Sequence, residues 1–303
     1  VKFLEFFGQA KSPKHVIYSG MNPFVKIQEE AARAWQEESC SYQTFPGIAT
    51  RLLRDFQYNL SLKQLETALA DWFLEKKVPE QINVHNTFGQ PPITLYNDGK
   101  FLLEVYFWLT ADTSLHSHGF RGAFRVLHGS SRHEVYDAKV IKTYAPDVLL
   151  TDLGQPRTET LNAGDVRTIH PGLELTHRVI HQDNPTVSLC LKTINEPDLF
   201  QWNYFDNGLA IQRRHVPASL VKSIYYFQYL CGRDERGAAR FLFELLSGLD
   251  LSMQMNLFEE IGSGALALDE DTADFLMETI AGRHEASEWF KLYDEATLAP
   301  PTL

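Results

Sequence analysis

The stretch from Thr113 to Gly129, TSLHSHGFRGAFRVLHG, constrains the chain more than any other. It carries His116 and His118 with one residue between them. In an extended strand, alternate side chains lie on one face. Both imidazoles can then aim at a single metal ion from the same wall. A third ligand is expected downstream, and His177 in GDVRTIHPGLELTHRV (residues 164–179) is the best candidate. Seven of the eleven histidines fall between His116 and His181. A lone histidine is usually structural or solvated, but this clustering points to a metal site. Neutral imidazole suits iron, zinc, copper, nickel and manganese.

The surrounding sequence predicts the strands that such a site needs. PPITLY, FLLEVYFWL, FRVLHG, HEVYDAKVIKTY, DVLLTDL, DVRTIH, LTHRVIH and TVSLCLKT are short β-rich runs separated by Gly, Pro, Asn and Asp. About eight strands at this spacing predict a mainly β core, an antiparallel jelly-roll sandwich or barrel. FQWNYF and LAIQRR add a hairpin around Asp206-Asn207-Gly208. Helical patterns flank the strands. Asn22-Pro23 opens a helix through FVKIQEEAARAWQEES. Ser61 and Gln64 form a capping box ahead of Leu65, Leu69 and Trp72 at helical spacing. After Pro217 about five helices follow, one running from Asp234 to Gly248 and one starting at the acidic tract Asp269-Glu270-Asp271. The expected organisation is a helical region over 1–85, a barrel over 86–213 and a helical region over 214–303 packed on the barrel.

Composition limits the function classes. A net charge of -11 argues against nucleic acid as the main partner, and no basic helix-turn-helix is visible. No apolar run reaches the roughly 18 residues that span a bilayer, and VKFLEFFGQAKSPKH has too short an apolar stretch for a signal peptide. The three scattered cysteines, Cys40, Cys190 and Cys231, suit a reducing compartment, so a cytoplasmic location is expected.

The spacing of these motifs resembles the cupin superfamily. His116, His118 and Gly129 match its first motif; Gly164-Asp165, Pro171-Gly172 and His177 match its second. The implied fold is the cupin double-stranded β-helix, a jelly-roll barrel, here with helical N- and C-terminal additions. Within that superfamily FLLEVYFW, HSHGFRGAFRVLHG and LTHRVIHQDNPTVSLCLK look like the thiol dioxygenase group, of cysteine dioxygenase type. The match covers roughly residues 101–193. It implies Fe(II), with substrate and O2 taken at open positions; other divalent transition metals also suit the donors. The family's glutamate ligand falls near Ala123, and no carboxylate occurs between His118 and Gly129, which leaves a three-histidine ligand set. The positions of the cysteine–tyrosine crosslink are Ala123 and Lys192, the histidine of the final strand is Cys190, and of its hydroxyl relay only Ser188 stays. No arginine lies between His85 and Phe101, where the family's carboxylate clamp would be.

These departures shape the expected site. His116, His118 and His177 are the metal ligands. Three neutral donors leave the ion's charge uncancelled, which favours an anionic ligand such as a thiolate, enolate or carboxylate. By the family's strand register Glu104, Tyr106 and Trp108 look into the barrel, Tyr106 as a catalytic hydrogen-bonding group and Trp108 as a substrate contact. Lys192 is expected to bind an anion or act as a base. Arg125 is expected to replace the missing clamp if its strand turns it inward. His128, His133 and His181 are read as lying off the metal, and His170 as the residue that orients a ligand. The expected activity is that of a non-haem Fe(II)-dependent oxygenase, dioxygenase-like, acting on a small anionic substrate, with thiols among the candidates. The alternative is a non-oxidative metal-dependent cupin of isomerase type, or a ligand-sensing cupin. The helical flanks are candidates for homodimerisation.

Overall fold

The computed structural model describes residues 23–58, 60–74, 78–82, 89–109, 113–194 and 196–298. The segment before Pro23 and the expected boundary near residue 85 lie outside them. Three helices come first, α1 (Pro23–Glu37), α2 (Phe45–Asp55) and α3 (Leu62–Phe73). The capping box at α3 is present: the Ser61 side chain accepts from the Gln64 N–H, and the Gln64 side chain accepts from the Ser61 N–H. Both N–H groups would otherwise lack an intrahelical acceptor.

The strands are β1 (Pro92–Asn97), β2 (Phe101–Trp108), β3 (His116–Ser117), β4 (Gly122–His128), β5 (Ser130–Tyr136), β6 (Lys139–Ala145), β7 (Val148–Asp152), β8 (Arg157–Asn162), β9 (Val166–Ile169), β10 (Thr176–His181), β11 (Thr186–Thr193), β12 (Gln201–Tyr204) and β13 (Leu209–Arg213). They form two antiparallel sheets. One has the order β1-β2-β11-β4-β9, the other β6-β7-β13-β12-β3-β10-β5-β8. Late strands pair between early ones: β11 lies between β2 and β4, and β10 between β3 and β5. That interleaving is the double-stranded β-helix the motifs imply. Two differences from the sequence expectation stand out. HEVYDAKVIKTY breaks at Asp137-Ala138 into β5 and β6, and the polar segment RTETLN forms a strand, β8, that hydrophobic patterning does not reveal.

The five-stranded sheet shows the period-2 alternation of a strand layer covered on both faces. One face carries Leu103, Val105, Leu189, Leu191 and Val166 and packs against Trp35, Phe45, Ala49, Leu52 and Leu53 of α1 and α2. The other carries Tyr106, Trp108, Cys190 and Ile169 and faces the barrel interior. Helix, sheet and interior thus lie in successive layers, and the helices seal the side of the barrel that backs the site.

Five helices follow the strands: α4 (Ala218–Cys231), α5 (Glu235–Ser247), α6 (Leu251–Gly262), α7 (Glu270–His284) and α8 (Glu288–Leu298). The caps are those the sequence predicts: Asp234 accepts from the Gly237 N–H and Asp269 from the Thr272 N–H. Leu220, Ile224, Phe227, Leu242, Leu246, Leu257, Leu276 and Ile280 build a core of their own. Met255 on α6, with Trp289 and Tyr293 on α8, packs on Val148, Leu209 and Ile211 of β7 and β13. No helix among the described residues is long and apolar enough to cross a membrane.

Candidate metal centre

β3 is only two residues long, yet with the bridge that follows it the chain fixes two of the three expected ligands here. His116 sits directly opposite His177 on β10. His118 follows in a bridge to Pro171, and its carbonyl accepts from the Gly172 N–H at 2.9 Å. The Pro-Gly turn of the second motif therefore holds the His118 backbone in place. One ligand atom from each of His116, His118 and His177 lies within 4.8 Å of the others, and all three residues are buried. Nε2 of His118 and Nε2 of His177 are 2.9 Å apart.

The donor chemistry fits a divalent cation. Burial pushes the His116 imidazole down to about 4, and it holds His118 and His177 well below the ordinary histidine range. All three are neutral donors at pH 7, as metal ligation requires. Two nitrogens each about 2.1 Å from one ion stand roughly 3 Å apart or a little more, which matches the His118–His177 spacing. Among the described residues no carboxylate joins the group, which leaves the three histidines as the candidate ligands.

Hydrogen bonds to the remaining ring nitrogens set the tautomers. His116 Nδ1 lies 2.7 Å from the Ser114 carbonyl oxygen, which can only accept, so Nδ1 carries the proton and Nε2 keeps its lone pair. His177 Nδ1 lies 2.8 Å from Nε2 of His133, and His133 Nδ1 lies 2.9 Å from Glu159 Oε1. Arg167 grips Glu159 with two N–H groups, one of them Nε at 2.7 Å from Oε1. The Arg167 hydrogen bonds, working against partial burial and helped by His133, hold the Glu159 carboxyl down to about 2.

A narrow cavity of about 60 Å³ adjoins His116 and His177. Its walls include Tyr106, Trp108, Phe120, Phe124, Ile169 and His181, with Ser131 and Ser188 as hydroxyl groups. Trp108 donates from Nε1 to Ser188 Oγ at 2.9 Å and stacks with Tyr106 and with His181. Lys192 stands behind this wall. Its Nζ lies 2.6 Å from Glu104 Oε2 and 2.8 Å from the Tyr106 hydroxyl, and that hydroxyl donates to Glu104. Burial opposes ionisation of Glu104, but Lys192 with the Tyr106 and Thr94 hydroxyls outweighs it and lowers the carboxyl below its usual range. Glu104, Tyr106 and Lys192 thus form one buried, charge-balanced cluster at the cavity wall.

Arg125 is placed elsewhere. It pairs with Leu189 and Val166, so it faces the helices as they do. Its Nη1 donates to the carbonyls of Leu53 and Phe56 at 2.8 and 2.6 Å, at the end of α2. The inward residues of β4 are Phe124 and Val126, one position away from the parity that would have brought Arg125 inside. His170 is also placed away from the ligands: about half exposed, it faces Glu174 at 3.7 Å. His133 takes the orienting position expected of His170. Sequence reasoning missed Glu159 entirely, because it lies on the unrecognised β8. The five residues between the turns Gly154-Gln155-Pro156 and Asn162-Ala163-Gly164 were the available signal. His181 lines the cavity with Nδ1 3.0 Å from Ser131 Oγ, and its Nε2 has no hydrogen-bond partner among the described residues.

No protein-family model matches the chain, and no curated protein matches it. Several solved structures are similar in part. A protein with a double-stranded β-helix domain from Klebsiella pneumoniae is 13% identical over 45% of this chain and 100% of its own, with a TM-score of 0.26. Hydroquinone 1,2-dioxygenase from Sphingomonas sp. is 9% identical over 37% of this chain and 70% of its own, with a TM-score of 0.28. Pumpkin seed globulin is 14% identical over 54% of this chain and 38% of its own, with a TM-score of 0.29. Likenesses this distant carry no argument about activity, which has to be read from the side chains.

Proposed function

We propose that this protein is a non-haem Fe(II)-dependent oxygenase, dioxygenase-like, that takes a small anionic substrate at a metal held by His116, His118 and His177. The observation that carries the reading is the convergence of three buried, neutral histidines beside a narrow cavity walled by aromatic rings. When bound, a redox-active divalent metal supplies the electron transfer that lets O2 react with an organic molecule. The chain supplies the rest. Ser114 and His133 fix His116 and His177 with their lone pairs toward the shared position.

The cavity contributes no uncompensated positive charge of its own, because Lys192 is neutralised by Glu104. An anionic substrate atom is therefore drawn to the metal rather than to the walls. The walls receive the apolar body of the substrate, with Trp108 and Phe124 against it, and keep water out. Tyr106 and Lys192 act together. Tyr106 Oη donates its proton to Glu104 and accepts a hydrogen bond from Lys192, so the cluster holds an ordered, exchangeable proton at the cavity wall beside a paired lysine and carboxylate. Thiols are the first substrates to test, because thiolate is the small anion that the motif resemblance implies.

That proton-handling cluster also favours a second reading, metal-assisted isomerisation without oxygen. Anaerobic purification with metal analysis, followed by O2-uptake measurements against small thiols, amino acids and diketones, separates the two. Stoichiometric iron with substrate-dependent O2 consumption supports the oxygenase. Bound zinc and no O2 uptake with any of these substrates refute it.

A further inference from the structure

Four residues form a single row across four adjacent strands of the eight-stranded sheet. His116 on β3 opposes His177 on β10, and His133 on β5 opposes Glu159 on β8. His177 and His133 are diagonal neighbours across the β10–β5 pairing, where His177 opposes Val135 and Val179 opposes His133. Directly opposed residues of an antiparallel pair share a face, and diagonal neighbours are within reach of ring side chains. The row starts at a ligand and ends at the edge strand β8. There Arg167, from the edge strand β9 of the other sheet, closes on Glu159.

The direction of hydrogen bonding along this row is dictated from its outer end. An ionised carboxylate accepts and does not donate, and Arg167 only donates. His133 must therefore donate from Nδ1 to Glu159, which leaves a lone pair on its Nε2. That lone pair accepts from His177 Nδ1, so the lone pair of His177 lies on Nε2, the atom 2.9 Å from Nε2 of His118. His133 is buried, so this polar contact is shielded from water and interacts strongly. His116 is held differently: its Nδ1 lies 2.7 Å from the neutral carbonyl oxygen of Ser114. The three histidines are therefore not equivalent. One of them is backed, through an intervening imidazole, by a carboxylate that makes no contact with the ligand group.

We propose that His133 and Glu159 are positioning residues of the metal centre, supplying through His177 the carboxylate influence that the three-histidine ligand set lacks, with Arg167 anchoring them at the seam between the sheets. The inference rests on the reading that these histidines hold a metal, and it adds what makes one of them the dominant donor. Outer hydrogen-bonding partners of metal-ligating histidines are typically worth 10–100-fold in affinity.

The test is equilibrium binding of Co(II) by competition with a chromophoric chelator, together with the visible absorption of the Co(II) protein. The proteins compared are wild type, Glu159→Gln, His133→Phe and Glu159→Asp. Glu159→Gln and His133→Phe should each bind Co(II) roughly 10–100-fold more weakly and shift its visible bands. Glu159→Asp, which keeps the charge, should recover part of the loss. If the first two variants bind Co(II) within about twofold of wild type, with unshifted bands, the row is only a structural seam and the proposal is overturned, even if both variants melt earlier. If wild type itself binds no Co(II), the metal reading fails and takes this inference with it.

Discussion

Lys192 Nζ lies 2.6 Å from Glu104 Oε2 in the interior of the barrel, with both residues under a tenth exposed. Removing one partner leaves the other as an uncompensated buried charge, at a cost of about 3–5 kcal/mol. Lys192→Met should therefore lower the free energy of urea unfolding by about that amount. Adding Glu104→Gln to the same protein should recover most of the loss, since no charge is then left unpaired. Equal stabilities for the single and double variants would show that the pair is not coupled.

Arg125 provides the control. Its guanidinium ties two carbonyls at the end of α2 to the outer face of β4. Hydrogen bonds to a charged group are worth about 1.5–3 kcal/mol. Arg125→Ala should cost roughly 2 kcal/mol of stability while leaving metal content unchanged and KM for any accepted anionic substrate within about twofold. A large rise in KM without loss of stability would restore Arg125 to the substrate site.

The pH dependence follows from His181, whose ring burial pushes down to about 4 from an ordinary 6.5. Above pH 6.5 the ring is neutral both folded and unfolded, and its titration contributes nothing. Between 6.5 and 4 the unfolded chain takes up a proton that the folded protein refuses. Stability then falls as the pH drops, by up to about 1.4 kcal/mol per pH unit from this group. His116, His118 and His177, also held below the ordinary range, add slopes of the same sign, so His181→Phe should make that part of the profile shallower by its own share, measured by urea unfolding of the metal-free protein at pH 7.5, 6 and 5. An unchanged slope would show that His181 titrates normally.

Phe120 borders two spaces. It lines the narrow inner cavity and also an outer cleft of about 440 Å³, where Phe200, Arg213 and Arg214 are neighbours. Its ring packs on His118 at a centroid distance of 4.6 Å. Phe120→Ala should open the passage between them. Uptake of Co(II) and its removal by a chelator should both speed up by about tenfold or more, with equilibrium affinity nearly constant, as expected when only a barrier changes. Stopped-flow absorbance measures both rates, and unchanged rates would place the entrance elsewhere.

Much of the architecture was legible because the patterns that encode it are local. The alternation in FLLEVYFW and TVSLCLKT, the turn residues between strands, and the caps at Ser61, Asp234 and Asp269 all act within a few residues. The three-histidine cluster was legible for the same reason: His-x-His is a strand signal, and Pro171-Gly172 fixes where His177 must return. The side chains around it were harder to read. Arg125 and Phe124 differ by a single step of parity, and the pairing of β4 with β11 contains a register shift that a sequence does not display. Glu159 was hidden because β8 is an edge strand, with one sheet neighbour and a polar, mostly exposed sequence. Such a strand is specified by its pairing with β5 rather than by its own hydrophobicity. The partnership of Lys192 with Glu104 joins residues 88 positions apart, and only the β2–β11 register brings them together.

The central claim is that His116, His118 and His177 hold one functional metal ion. Purification under anaerobic conditions, with metal analysis of wild type, His118→Ala and His177→Ala, tests it most directly. About one iron per chain is expected in wild type, with loss of that iron in both variants and the fold retained by circular dichroism. Iron at the same stoichiometry in either variant, or a wild-type protein that binds no transition metal when Fe(II), Co(II) or Zn(II) is supplied, would contradict it.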